Sequence, residues 1–94
     1  MDNEHYLDVS DLEPPEPLIR AIDGVKGLAA GQYLHLNHRI KPCLLYENLS
    51  RLGFDSDTRA GSSGMCEVFI WRQGDLTAEQ HARQAACSLP RWQD

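Results

Sequence analysis

In residues 6–10, YLDVS, Leu7 and Val9 alternate with Tyr6, Asp8 and Ser10, the two-residue period of a strand with one buried face. Past the prolines Pro14, Pro15 and Pro17, the apolar residues Leu18, Ile22 and Val25 recur at i, i+4 and i+7, which predicts an amphipathic helix. Gly27 and Gly31 flank a short turn, and residues 32–37, QYLHLN, alternate again, with Leu34 and Leu36 against Tyr33, His35 and Asn37. The segment 41–53, KPCLLYENLSRLG, predicts a second helix. Pro42 suits its first turn, Leu45, Leu49 and Leu52 make its apolar stripe, and Gly53 suits the left-handed position after its end.

Residues 54–60, FDSDTRA, read as a short polar edge strand, GSSG at 61–64 as a hairpin loop, and 65–72, MCEVFIWR, as the most strand-like stretch of the chain. The order is β-α-β-α-β-β. A right-handed crossover makes the first two strands parallel, and the last two pair as an antiparallel hairpin. The fold class predicted is an α/β (α+β) two-layer sandwich, a four-stranded mixed sheet with two helices on one face. The remainder, LTAEQHARQAACSLPRWQD, opens with a capping-box pattern at Thr77 and Gln80 and continues in good helix formers to about Cys87, with Pro90 as a stop. The expected division is therefore a domain of residues 1–74 and a C-terminal helical extension of residues 75–94. A helix this short is marginal alone in water, so its order would have to come from packing.

Charge narrows the function. The net charge is −5, and seven of the fourteen acids lie in residues 1–23 against Arg20 alone. With no basic run, the chain lacks the electrostatic footprint of a nucleic-acid binder. Three cysteines without a CxxC spacing argue against a disulfide framework or a zinc site. The start MDNEHYLDVS has no apolar signal-peptide core, and no stretch approaches the roughly 20 apolar residues of a membrane span. The expectation is a cytoplasmic protein with reduced thiols, no membrane or nucleic-acid partner and no cofactor.

The prolines have a physical reading. The first four N–H groups of a helix lack a carbonyl partner within it, so proline costs little there and presets the backbone angle. Glu13 and Glu16 sit where negative charge suits the helix dipole. With these residues in view, LDVSDLEPPEPLIRAI resembles the opening of the TusA/SirA-like sulfur-carrier fold. LDVSDLEPPEPL, HRIKPCLLYENL and EVFIWR in that order are similar to the bacterial domain-of-unknown-function family numbered 2249, which shares the fold; the likeness spans about residues 6–73. In the sulfur carriers a cysteine directly before Pro-x-Pro bears the persulfide. Pro14 stands there in this chain, so sulfur relay through that position is not carried over. The resemblance implies a bacterial cytoplasmic protein, with a redox-linked partner suggested by the hemerythrin-like and nitrogen-oxide-handling proteins that such domains accompany. The function expected is a small non-catalytic interaction or accessory domain, with a sulfur carrier or transferase using Cys43 as the alternative.

Cys43 follows Pro42 in the first turn of the second helix with His38, Arg39 and Lys41 nearby, a setting that stabilises a thiolate. The plainer reading makes it a small residue filling the helix–sheet layer. Cys66 shares a strand face with Val68 and Ile70 and reads as core, while Cys87 has no base beside it. His35 and His38, three apart, point to opposite faces and so do not combine with Cys43 or His5 into a metal site; His38 reads as shaping the loop into the second helix. His38, Arg39 and Lys41 at a helix N-terminus also suit a small anion, against the alternative of a solvated basic turn. Finally, if Leu7, Val9, Leu34, Leu36, Val68 and Ile70 face the two helices, the opposite sheet face carries Tyr6, Tyr33, His35, Phe69 and Trp71, a candidate binding surface. Three covers are consistent with it: the tail through Leu76, Leu89 and Trp92, a second copy in a homodimer, or a partner protein.

Overall fold

The computed structural model describes residues 3–93. Along the chain run β1 (Glu4–Asp8), α1 (Glu16–Lys26), β2 (Tyr33–His38), α2 (Cys43–Leu52), β3 (Phe54–Ala60), β4 (Cys66–Arg72) and α3 (Leu76–Ala86), with a 3-10 turn at Ser62–Gly64 between β3 and β4. The four strands form one mixed sheet in the order β1-β2-β4-β3. β1 lies parallel to β2, and β4 lies antiparallel to both β2 and β3. This is the sheet that the alternating patterns and the crossover rule predict.

The register aligns Leu7 with Leu36 and Leu36 with Val68, so the alternating apolar residues share one face. On that face Val9, Leu34, Leu36, Cys66, Val68 and Ile70 meet Ala21 and Val25 of α1 and Leu45 and Leu49 of α2, all at most 2% exposed. The innermost line of α1 is Pro17, Ala21 and Val25, with Leu18 and Ile22 half-buried beside it. Leu52, expected in the α2 stripe, is 45% exposed: α2 ends there, and Gly53 at φ 88° turns the chain into β3.

Two local boundaries differ from the sequence reading. β1 begins two residues earlier and ends at Asp8, because the Asp8 carboxylate accepts from both the Ser10 N–H (3.0 Å) and the Ser10 hydroxyl (2.7 Å) and closes a turn. At α1, Pro14 and Pro15 lie ahead of the helix, and only Pro17 occupies its first turn. The Glu16 N–H closes that approach on the Glu13 carbonyl at 2.9 Å.

The C-terminal helix forms a third layer over the other sheet face. Ala78, Ala82 and Ala86, at i, i+4 and i+8, are fully buried against Tyr33, Phe69 and Trp71. Its cap is Asp75, not the expected Thr77. One carboxylate oxygen accepts from the Ala78 N–H (3.0 Å) and the other from the Gly31 N–H (2.8 Å), so a single side chain caps α3 and ties it to the turn before β2. The covering residues also differ from those expected. Leu76 is 75% exposed, Leu89 packs on the α3 side, and Trp92 packs against the α1/α2 core instead. Beyond α3 the chain follows the outer edge of β3, where the Ala60 N–H donates to the Pro90 carbonyl (2.9 Å) and the Trp92 N–H to the Thr58 carbonyl (3.3 Å). That edge is thus shielded from pairing with other chains. Among the described residues, no helix is long and apolar enough to cross a membrane.

Candidate functional site

Because β1 and β2 are parallel neighbours, the loops that follow them emerge at the same end of the sheet, and both helices begin there. In open α/β sheets this end of the strands is where ligand crevices form. A cavity of about 360 Å³ lies between the two helix N-termini, walled by Leu12, Pro14, Pro15, Pro17 and Leu18 on one side and by the run 38–45 on the other. Its size falls in the range of small-molecule sites, roughly 300–1,000 Å³. The three prolines, which the sequence suggests are purely architectural, build one wall. Proline suits that task, since it presents an apolar ring, fixes the backbone and leaves no amide proton unpaired against the cavity.

The opposite wall carries the polar groups. The ionisable residues of the lining are His38, Arg39, Lys41 and Cys43, three bases and a thiol with no carboxylate among them. Arg39 reaches outward to the Glu13 carboxylate at 2.9 Å. His38 is 8% exposed, and its Nδ1 accepts from the Ile40 N–H at 3.2 Å, which holds the loop into α2. A neutral imidazole with Nδ1 accepting carries its proton on Nε2, and no protein acceptor for that proton is found among the described residues. Burial, and secondarily the Arg39 charge, hold the His38 pKa below its ordinary value, so the ring is neutral at pH 7. Neither α1 nor α2 has a side-chain cap, whereas α3 has Asp75.

Cys43 is the first residue of α2 and is exposed on this wall. The reading of Cys43 as a layer-filling residue is therefore overturned: the first position of the helix projects into the loop region, and Leu45 fills the layer instead. Cys66 is fully buried and Cys87 exposed at the end of α3.

The five residues assigned to an open sheet surface divide into two groups. Tyr33, Phe69 and Trp71 are 6%, 1% and 1% exposed beneath α3, so they form a second core and are not available at the surface. Tyr6 is 53% exposed and His35 lies at the margin of the α3 cover. His35 is held tightly. Its Nε2 lies 2.6 Å from a Glu67 carboxylate oxygen, its Nδ1 lies 3.2 Å from Glu4, its ring stacks on Phe69 at 4.3 Å, and the Tyr6 ring meets it edge-on at 5.0 Å. The Tyr33 hydroxyl donates to the same Glu4 oxygen at 2.8 Å. Burial, with the carboxylates of Asp8, Glu67 and Glu4, pushes the Tyr6 phenol above its ordinary pKa. Glu4 and Glu67 have no place in the sequence reading; the signal was a lone acid within the apolar run of β4, on the face that carries His35. His35 and His38 do face opposite sides of the sheet, and among the described residues no group of three histidines, cysteines or acids is placed to hold a metal.

No protein-family model and no curated protein sequence matches the chain. Its fold is that of a solved SirA-like protein from Desulfitobacterium hafniense, with a TM-score of 0.62 and 20% sequence identity over 69% of this chain and 92% of that one. The class the architecture defines is thus a SirA-like α/β fold, and the likeness extends to the fold alone.

Proposed function

We propose that this chain is a small non-catalytic binding domain of the SirA-like fold, an accessory protein whose working site is the cavity between the N-termini of α1 and α2. The observation that carries this is the cavity itself: apolar walls, a one-signed set of charged groups and exposed apolar residues at the mouth, Ile40 and Leu44, each 59% exposed. Exposed apolar side chains gathered around a concavity mark a binding site more strongly than scattered ones do. The position before Pro-x-Pro supports the non-catalytic reading, since Pro14 offers no nucleophile. The SirA-like fold suggests a role near sulfur or redox metabolism, and membership in the family numbered 2249 is consistent with the three segments that resemble it. The acidic balance points to partners other than nucleic acid.

Amide chemical-shift mapping with a panel of small aromatic compounds, neutral and charged, tests this reading. Shifts are expected at residues 12, 18, 38–41 and 43–45, and Leu44→Asp, an exposed position, should remove them without loss of helical circular dichroism. Shifts confined to α3 or β3 would refute it.

One observation favours a second reading. Cys43 is the cavity's sole thiol and is exposed at a helix N-terminus, so sulfur carriage by Cys43 is the alternative. Incubation with a cysteine desulfurase and cysteine, followed by mass spectrometry, would show a one-sulfur increment on Cys43 if that reading holds. Modification of Cys87 alone would mark surface chemistry without carriage.

A further inference from the structure

The cavity also specifies what it takes. We infer that its ligand is a small organic carboxylate, an anionic head on a compact apolar body; this rests on the cavity being the working site. The apolar body follows from the walls: Leu12, Pro14, Pro15, Leu18 and Leu44 offer carbon surface and no side-chain polar atoms. The size follows from the volume. At the roughly 30 Å³ that one water occupies in the liquid, about 360 Å³ accommodates on the order of a dozen non-hydrogen atoms.

The head group follows from the polar wall. An ammonium ligand would find no carboxylate among the lining residues, only His38, Arg39 and Lys41. A carboxylate would find two kinds of donor. One is the Nε2–H of His38, a residue more than nine-tenths buried whose other nitrogen is already committed to the Ile40 N–H and which has no protein acceptor for this proton among the described residues. The other is the start of α2, which has no side-chain cap and whose dipole favours negative charge, although the Cys43 and Leu45 N–H groups already donate to the Lys41 and Pro42 carbonyls (both 3.0 Å). This Nε2 is not among the buried polar atoms left without a partner, so the proton reaches the solvent of the cavity, and a carboxylate would take the place of water there. Arg39 and Lys41 then attract the anion without having to enclose it.

The test pairs two probes of equal shape on the full-length protein: phenylbutyrate, which matches the estimated size, and its neutral amide. Two readouts run together, chemical-shift titration and the rate of Cys43 alkylation by iodoacetamide, with Cys87, outside the cavity lining, as internal control. For a ligand of this size a Kd on the order of a millimolar is expected for the carboxylate. The amide should bind at least tenfold more weakly, and only the carboxylate should slow Cys43 alkylation while Cys87 reacts as before. Lys41→Met should weaken the carboxylate severalfold and leave the amide unchanged. His38→Gln should do likewise if it folds, and the lysine variant keeps the test decisive if it does not. Equal binding of both probes in the cavity would overturn the carboxylate inference and leave the cavity as a general apolar site. No binding of either, with Cys43 alkylation unaffected, would remove both this inference and the reading on which it rests.

Discussion

Ala82→Leu tests whether α3 is an integral layer of the fold. Ala82 is fully buried, and beneath it lie Phe69 and Trp71, each 1% exposed, on the β4 strand that pairs on both sides within the sheet. Leucine adds three carbons. If α3 had room to shift, burying them at about 0.8 kcal/mol each would stabilise the protein by roughly 2 kcal/mol. In a filled site the same atoms force off-rotamer side chains or lift the helix, at a cost of typically 1–3 kcal/mol. The structure decides for the second. Large rigid rings pack against a strand that cannot retreat, so a destabilisation near the upper end, about 2–3 kcal/mol, is expected. Alanine and leucine differ little in helix propensity, so the sign reports packing. Gln84→Leu, on the exposed side of α3, is the control and should stay within about 0.5 kcal/mol of wild type. Urea unfolding followed by circular dichroism reads the effect. With m on the order of 1–1.5 kcal/mol/M for a chain of this size, Ala82→Leu should lower the midpoint by roughly 1.5–3 M with m unchanged. Equal midpoints for the two variants, with unchanged Trp71 emission, would refute the docking of α3 on the sheet.

Acid should loosen the same helix. The Asp75 pKa is held below its ordinary value first by the Gly31 N–H and then by the Ala78 N–H, so its ionised form is bound more favourably in the folded state. The stability it supplies is present above the ordinary carboxylate pKa and is lost as pH falls through the lowered folded value. Urea midpoints between about pH 5 and pH 3 should drop more for wild type than for Asp75→Ala, and parallel drops would contradict the capping role. Arg59 forks onto the Asp57 carboxylate (2.9 and 3.0 Å) and donates to the Leu89 carbonyl (3.1 Å), so Arg59→Ala should cost about 2 kcal/mol and expose Trp92, visible as a red-shifted emission that Lys26→Ala should not produce. At Gly53, φ is 88° and a Cβ would meet nothing within 4 Å, so Gly53→Ala should cost only the left-handed strain, about 1–2 kcal/mol, with Gly53→Asn costing less.

What the sequence showed and what it hid divide along one physical line. Period-two alternation in YLDVS and QYLHLN placed two strands, because a strand with one buried face writes its orientation into every second residue, whereas MCEVFIWR, covered on both faces, was placed by its β-branched and aromatic residues. The α3 contact was harder to read. A helix that meets flat aromatic rings at close range needs small residues, and Ala78, Ala82 and Ala86 carry almost no hydropathy signal, whereas Leu76 and Trp92 do and point elsewhere. Only the aromatic residues of the facing strands showed that a cover was needed. The cap was missed for a related reason. Asp75 bonds a residue 44 positions away as well as its own helix, a long-range contact that Thr77-x-x-Gln80 obscured. His38, Arg39, Lys41 and Cys43 were legible as a group, since they lie within six consecutive residues. The far wall of their cavity was not, because Pro14 and Pro15 serve the backbone of one helix and the surface of another's pocket at once.

That double use of the prolines bears on what this copy of the fold does. Two helices start side by side at one end of the sheet, and each start favours negative charge. At α1 the chain places Glu13 and Glu16 and a triplet of prolines, supplying its own negative charge and a carbon surface. At α2 it places His38, Arg39, Lys41 and an exposed thiol, with no acid in the lining and no side-chain cap. The two ends therefore differ in kind, one furnishing the apolar wall and the other the basic groups, with Arg39 ion-paired to Glu13 at 2.9 Å. On the proposed carboxylate reading, an anion in the cavity would lie toward α2, away from Glu13 and Glu16. Chemistry at the start of α1 would have required removing those acids and prolines. The proposed binding at α2 would make use of them.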